Sequence, residues 1–210
     1  MDNITHISIA VQEISPGEEL SISYIDGHLH RKDRLERLSD WGFDCKCAHC
    51  TMSEADVKDS DTRMDRIYEL EEKIEKLVAA GNGVDATLGD ELVGLYEAER
   101  FWTYIGQAYT RAALLHSLVG NEKETKKYAE KAREAMAREF GPFHKDTIAM
   151  AVLEADVKSH WSWRAMKKKL EAKQKVKAGL EAESVSWRME NDTGKEAAMN
   201  IPLPEIPPSV

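Results

Sequence analysis

The sequence predicts an α+β chain, in which a short antiparallel β unit and a cysteine-rich loop precede an all-α region. Three observations carry this. Apolar residues alternate with polar ones at Ile7, Ile9 and Val11, and again at Leu20, Ile22 and Tyr24, which is the two-residue period of strands. The only cysteines, Cys45, Cys47 and Cys50, fall within six residues of one another. From Thr62 onward apolar residues recur at every third or fourth position, the period of one helix face.

The first strand is expected within residues 4–14 and the second from Leu20 to Tyr24. Pro16-Gly17 supplies the turn between them, and so short a connection makes the pair antiparallel. Two strands alone are marginal in water, and no other segment reads as a convincing strand, so this unit calls for partners. Arg31 to Asp40 reads as a short helix with Leu35 and Leu38 on one face and its charges on a solvated one. Residues 51–61 are polar and acidic, as a linker would be.

Helices follow. Thr62 to Ala80 places Met64, Ile67, Leu70, Ile74 and Leu77 on one stripe and ends at Gly81-Asn82-Gly83, glycine being a common helix stop. A second helix starts near Gly89 and carries Leu92, Leu95, Tyr96 and Glu99 in register. A helix that follows or continues it spans Phe101 to Val119, with Tyr104, Ala108, Ala112, Leu115 and Leu118 inward. Gly120 stops it, and Asn121 with Glu124 opens the next in the manner of a capping box. That helix buries Tyr128, Ala132, Ala135 and Met136 and ends at Phe140-Gly141-Pro142. His144 to Trp163 continues the pattern with Met150, Leu153 and Val157. Small alanines set among large aromatics suit closely packed antiparallel helix pairs, and the Gly120-Asn121 turn between two long helices resembles one tetratricopeptide unit.

Residues 158–177 are basic, with Lys158, Arg164, Lys167, Lys168, Lys169, Lys173, Lys175 and Lys177. Two readings stand: a nucleic-acid contact or nuclear address, and a solvated helix extension, which is favoured. The last residues carry Pro202, Pro204, Pro207 and Pro208, a composition expected to be disordered over 190–210.

Composition narrows the function. Asp and Glu number 38 against 29 Lys and Arg, for a formal charge of −9, which argues against a general nucleic-acid binder and suits a basic protein substrate. No run of apolar residues has the length of a membrane span, no signal peptide is apparent at the N-terminus, and a nuclear or cytoplasmic location is expected. Neither a glycine-rich dinucleotide fingerprint nor a phosphate-binding loop is present.

The cysteine cluster reads as a zinc loop. Thiolates are favoured ligands for structural zinc, which takes four in a tetrahedron. Three reduced thiols on a loop are the bland alternative, and an odd number in so tight a cluster leaves no sensible disulfide pairing. A fourth ligand must come from elsewhere. Histidine could serve: His28 and His30 stand in the loop after the second strand, whereas His49, between two cysteines, has an awkward reach.

Two motifs here resemble a known family. Ser15-Pro16-Gly17-Glu18-Glu19-Leu20-Ser21-Ile22-Ser23-Tyr24-Ile25-Asp26 looks like the C-terminal core motif of SET-domain lysine methyltransferases. Trp41-Gly42-Phe43-Asp44-Cys45-Lys46-Cys47-Ala48-His49-Cys50 looks like the post-SET zinc loop that follows it. The closest variety is the SET and MYND subgroup and its fungal relatives, where a helical, tetratricopeptide-like region comes next. The resemblance implies the end of a SET domain over 1–26, a post-SET helix and zinc loop over 27–52, and a tetratricopeptide-like domain over 60–180.

It also implies chemistry. The cofactor is S-adenosylmethionine, the metal is Zn²⁺, and the substrate is a protein lysine such as one on a histone tail. Tyr24 stands where a catalytic, cofactor-facing tyrosine orients the lysine amine, which must be neutral to attack; a strand-end core tyrosine is the plain alternative. Phe43 stands where an aromatic packs on the cofactor's adenine; otherwise it covers the zinc site, as Trp41 would. Cys45, Cys47 and Cys50 are the metal ligands. The family carries an upstream Asn-His-x-Cys motif that contacts the cofactor and donates the fourth zinc cysteine, and Met1-Asp2-Asn3 begins just past its place. The expectation is a C-terminal portion that is weak or inactive alone. The competing reading is a non-catalytic helical module that binds partner peptides and keeps a vestigial zinc loop.

Overall fold

A computed structural model of the chain describes residues 8–80 and 84–198. Its regular elements among the described residues are seven helices: α1 (Arg31–Ser39), α2 (Glu54–Ala80), α3 (Thr87–Ala98), α4 (Ile105–Val119), α5 (Glu122–Phe140), α6 (Lys145–Ala155) and α7 (Ala165–Ala198). The chain divides into two compact units, Met1–Lys167 and Lys168–Val210.

The expected α+β class is therefore corrected to all-α. No strand is present among the described residues. Residues 4–7 of the first expected strand lie outside them, while 8–14 and Leu20–Tyr24 run as turns and irregular chain. The alternation is real, but among the described residues its apolar side chains stay largely open to solvent. Leu20 and Ile22 are 77% and 74% exposed, and a two-stranded unit with no buried face gains too little to hold its register.

In the first unit the principal helix contacts run between consecutive helices, α2 on α3, α3 on α4, α4 on α5 and α5 on α6. Met64, Ile67, Leu70, Leu92, Tyr96, Leu115 and Leu153 are buried where these helices meet. The α3–α4 pair is especially close: a Cβ on Gly89 would lie 2.8 Å from the Ala112 Cα. The expected Gly120 stop takes a left-handed φ of 87°, and the Asn121 side chain accepts from the Glu124 amide.

Three boundaries shift, one of them at α6, which ends at Ala155 rather than running on to Trp163. Helix α2 begins eight residues before Thr62, at Glu54, because the Asp56 amide donates to Ser53 Oγ at 3.2 Å and caps the first turn. Residues 54–61 are thus helix rather than linker. The helix expected from Phe101 starts at Ile105, since 99–104 form a corner. There Arg100 adopts a φ of +53°, and the Phe101 amide reaches back to the Tyr96 carbonyl at 3.0 Å. This is the reversal that glycine usually makes at a helix end.

In the second unit α7 continues to Ala198, past residue 190 where the tail was expected to begin; residues 199–210 lie outside the described residues. Lys173, Lys175 and Lys177 are exposed on it, as the solvated-helix reading requires.

Candidate functional site

A cavity of about 780 Å³ opens between the irregular 19–27 segment, the cysteine loop and the 99–104 corner. Tyr24, Phe43, Cys45, Cys47 and Cys50 all line it, so the five residues singled out from sequence share one site. The Tyr24 ring stands edge-on to Trp41 and to Phe43, each centroid 5.2 Å away. Rings in this geometry pair the positive edge of one with the negative face of the other. Tyr24 is 48% exposed, so its hydroxyl is not sealed into a core.

The three thiol sulfurs lie within 4.8 Å of one another and form a group that could hold a metal ion. A tetrahedron with ~2.3 Å zinc–sulfur bonds needs sulfurs ~3.8 Å apart, so the set fits zinc after a small contraction. Burial pushes the Cys50 thiol up to about 12, helped by its hydrogen bonds to Cys47 and Cys45. Burial also works against the Cys47 thiolate. It is outweighed by hydrogen bonds from the Cys50 backbone, the two neighbouring thiols and the His49 backbone, and Cys47 ends below its ordinary value. The two thiols are thus pushed in opposite directions. Three adjacent thiolates need a cation to coexist.

None of the three histidines considered as a fourth ligand joins this group. His28 sits in a box of aromatics, with ring centroids 4.3 Å from Tyr104, 4.6 Å from Phe101 and 5.1 Å from Tyr96. Burial lowers its pKa against the opposing pull of Asp26 and Glu71, with Arg111 adding to the lowering. His30 Nε2 lies 3.0 Å from Asp65 on α2. His49 turns toward the 99–101 corner, with Nδ1 3.9 Å from Glu99 Oε2 and its ring stacked toward Phe101.

Several site residues escaped the sequence reading. Arg34 was placed on a solvated face, yet it is 5% exposed. It donates to the Leu29 carbonyl at 2.6 Å and the His49 carbonyl at 3.3 Å. Leu35, expected inward, is the more exposed. Arg31 donates to the Cys50 carbonyl at 3.1 Å and pairs with Glu54, and its amide meets Asp61. The Tyr68 hydroxyl donates to the His28 carbonyl. Glu99 has a fully buried side chain, accepting from Ser60 Oγ at 2.7 Å and from Arg63 Nε. Its signal was present in the sequence: an acid in the same register as Leu92, Leu95 and Tyr96.

No family model matches the chain. Several curated proteins match part of it. The histone-lysine N-methyltransferase ATXR2 of Arabidopsis thaliana is 50% identical over 44 residues, 21% of this chain and 9% of that protein. The N-lysine methyltransferase SMYD2-B of Danio rerio is 51% identical over 49 residues, 23% of this chain and 11% of that protein. The Danio rerio SMYD2-A is 40% identical over 77 residues, 36% of this chain and 18% of that protein. Over these stretches the chain is related to lysine methyltransferases, and it spans between 9% and 18% of the length of these three relatives.

Proposed function

We propose that this chain forms the later part of a SET-type, S-adenosylmethionine-dependent protein-lysine methyltransferase of the SET and MYND kind. The observation that supports it best is the convergence of Tyr24, Phe43 and the three cysteines on one cavity, in a chain half identical over a short stretch to lysine methyltransferases. A cavity of this size is in the range that takes a cofactor-sized ligand. Aromatic faces suit an adenine ring and a sulfonium cation.

When bound, S-adenosylmethionine supplies an electrophilic methyl group. Tyr24 would offer its hydroxyl oxygen to the acceptor amine and help orient the neutral lysine. Phe43 would pack on the adenine, and Trp41, edge-on to the Tyr24 ring at 5.2 Å, would buttress it. Cys45, Cys47 and Cys50 hold Zn²⁺ with a fourth ligand from another segment, which fixes the loop that presents Phe43. The acceptor is a lysine on a protein, a basic histone tail being the kind of surface that the chain's negative charge would attract. The helical region is tetratricopeptide-like, and the site is nuclear or cytoplasmic. Because three thiols leave one zinc corner to be filled, and residues 8–26 form no sheet, these residues work with further SET-domain residues and are weak or inactive without them.

Two measurements test this. The intact mass of the endogenous protein should lie well above 23.7 kDa, and the purified 210-residue chain should show little methyl transfer to lysine peptides. Robust transfer by the isolated chain would overturn the incompleteness. A mass of 23.7 kDa without activity would move the function to the helical region. One observation favours that second reading, a non-catalytic peptide-binding module: Phe143 just before α6 and Ile148 and Val152 along it are exposed.

A further inference from the structure

We infer that Glu99, at the end of α3, is a positioning residue for the three-cysteine loop and acts through His49. The inference rests on reading that loop as a metal site. A buried carboxylate is costly unless it is paired and hydrogen-bonded, and Glu99 draws its partners from two directions. Ser60 and Arg63 of α2 hold it from one side. From the other comes His49, which stands between the ligands Cys47 and Cys50, its Nδ1 3.9 Å from the same Oε2 that Ser60 bonds. The Glu99 side chain is sealed from solvent and the His49 ring is largely so. Phe101, two residues on, stacks on the same ring with centroids 6.3 Å apart.

The corner between Glu99 and Phe101 holds Arg100 in the left-handed region, a conformation that costs a non-glycine residue energy. That reversal places Glu99 and Phe101 together against one loop side chain. The loop's backbone is held independently: Arg34 takes the His49 carbonyl and Arg31 takes that of Cys50. His49 is thus the loop's side-chain tether to the helices rather than a metal ligand. Groups that orient a metal loop without touching the ion change metal affinity by roughly 10–100-fold when removed.

The test uses the 210-residue chain, with Glu99→Gln, His49→Asn and the double variant. Hydrogen exchange over 45–51 is read without zinc, and zinc affinity by competition with a chromophoric chelator. Both single variants should speed exchange in that segment and weaken zinc binding about tenfold, and the double variant should be no worse than either single one. His49→Asn alters no group inside the helical core, so it should leave α4–α6 protected. Wild-type exchange and affinity in His49→Asn would overturn the inference. So would a Glu99→Gln variant that loosens α2 and α3 while the loop stays at wild type. A wild-type chain that binds no zinc would sink the metal reading alone, and exchange over 45–51 would still decide the tether.

Discussion

Residues 54–157 and residues 8–50 are stabilised by different means. The helices from α2 to α6 bury an apolar stripe each, and Met64, Leu70, Leu92, Ala108, Ala112 and Leu153 are sealed from solvent. The earlier segment buries little of its own: of its large hydrophobics only Leu38 joins the core, while Leu20, Ile22, Trp41 and Phe43 stay exposed. It is held by polar attachments to the helices, through Arg31 to Asp61 and Glu54, Tyr68 to the His28 carbonyl, and the His28 ring among Tyr96, Phe101 and Tyr104. Hydrophobic burial is non-directional and sums over area, so it makes a scaffold. Polar attachments are directional and individually modest, so they orient a site. The candidate site residues lie in the region that depends on the second kind.

The contrast predicts unequal responses to truncation. Leu92→Ala or Leu153→Ala should cost about 2–5 kcal/mol, whereas Leu20→Ala or Ile22→Ala should stay within about 0.5 kcal/mol; thermal melts decide it. A large loss at Ile22 would mean that this segment has a packed core of its own. Gly89→Ala should cost about 1–3 kcal/mol by forcing α3 away from Ala112, read in the same melts.

Metal removal sharpens the comparison from the other side. Zinc chelation, or Cys47→Ser, should leave the far-ultraviolet helical signal intact while exchange quickens over 41–52, because no cysteine belongs to the apolar cluster that joins α2 to α6. Loss of helicity on chelation would join the two regions into one cooperative unit. Acid should act on the attachment as well. The pKa of His28 is lowered from the usual 6.5 by burial, so the folded state favours the neutral ring. Its stabilisation is therefore complete above pH 6.5 and is lost as pH falls below that value through the lowered folded pKa. Melting temperatures of His28→Asn should depend less on pH in that window than those of the wild type, and equal dependence would contradict the assignment. A gain rather than a loss is expected at Arg100: with its φ of +53° and its side chain exposed, Arg100→Gly should stabilise by up to about 1 kcal/mol, read in the same melts.

The same contrast explains what the sequence disclosed. Helices from α2 to α6 were legible because burial imposes a period, and the Gly120 stop and the Asn121 cap stood where the structure has them. The cysteine trio was legible from spacing alone. The strands were not, because alternation in Leu20, Ile22 and Tyr24 records which face could be buried, not whether a partner is present to bury it. Arg34 was hidden for another reason, and Glu99, though it falls in register with Leu92, Leu95 and Tyr96, carried no sign of its partners. A charged residue is assigned to solvent by default, and only long-range partners, Leu29 and His49 carbonyls for one and Ser60, Arg63 and His49 for the other, make burial tolerable.

The central claim, that Tyr24 belongs to a lysine methyl-transfer site, is tested most directly on the native protein isolated from its own cells. Transfer of a labelled methyl group from S-adenosylmethionine to protein lysine would be measured for wild type and for Tyr24→Phe. The account predicts transfer by the wild type and a fall of about 100-fold or more when the hydroxyl is removed. Undiminished transfer by the phenylalanine variant, or none by the wild type, would contradict it.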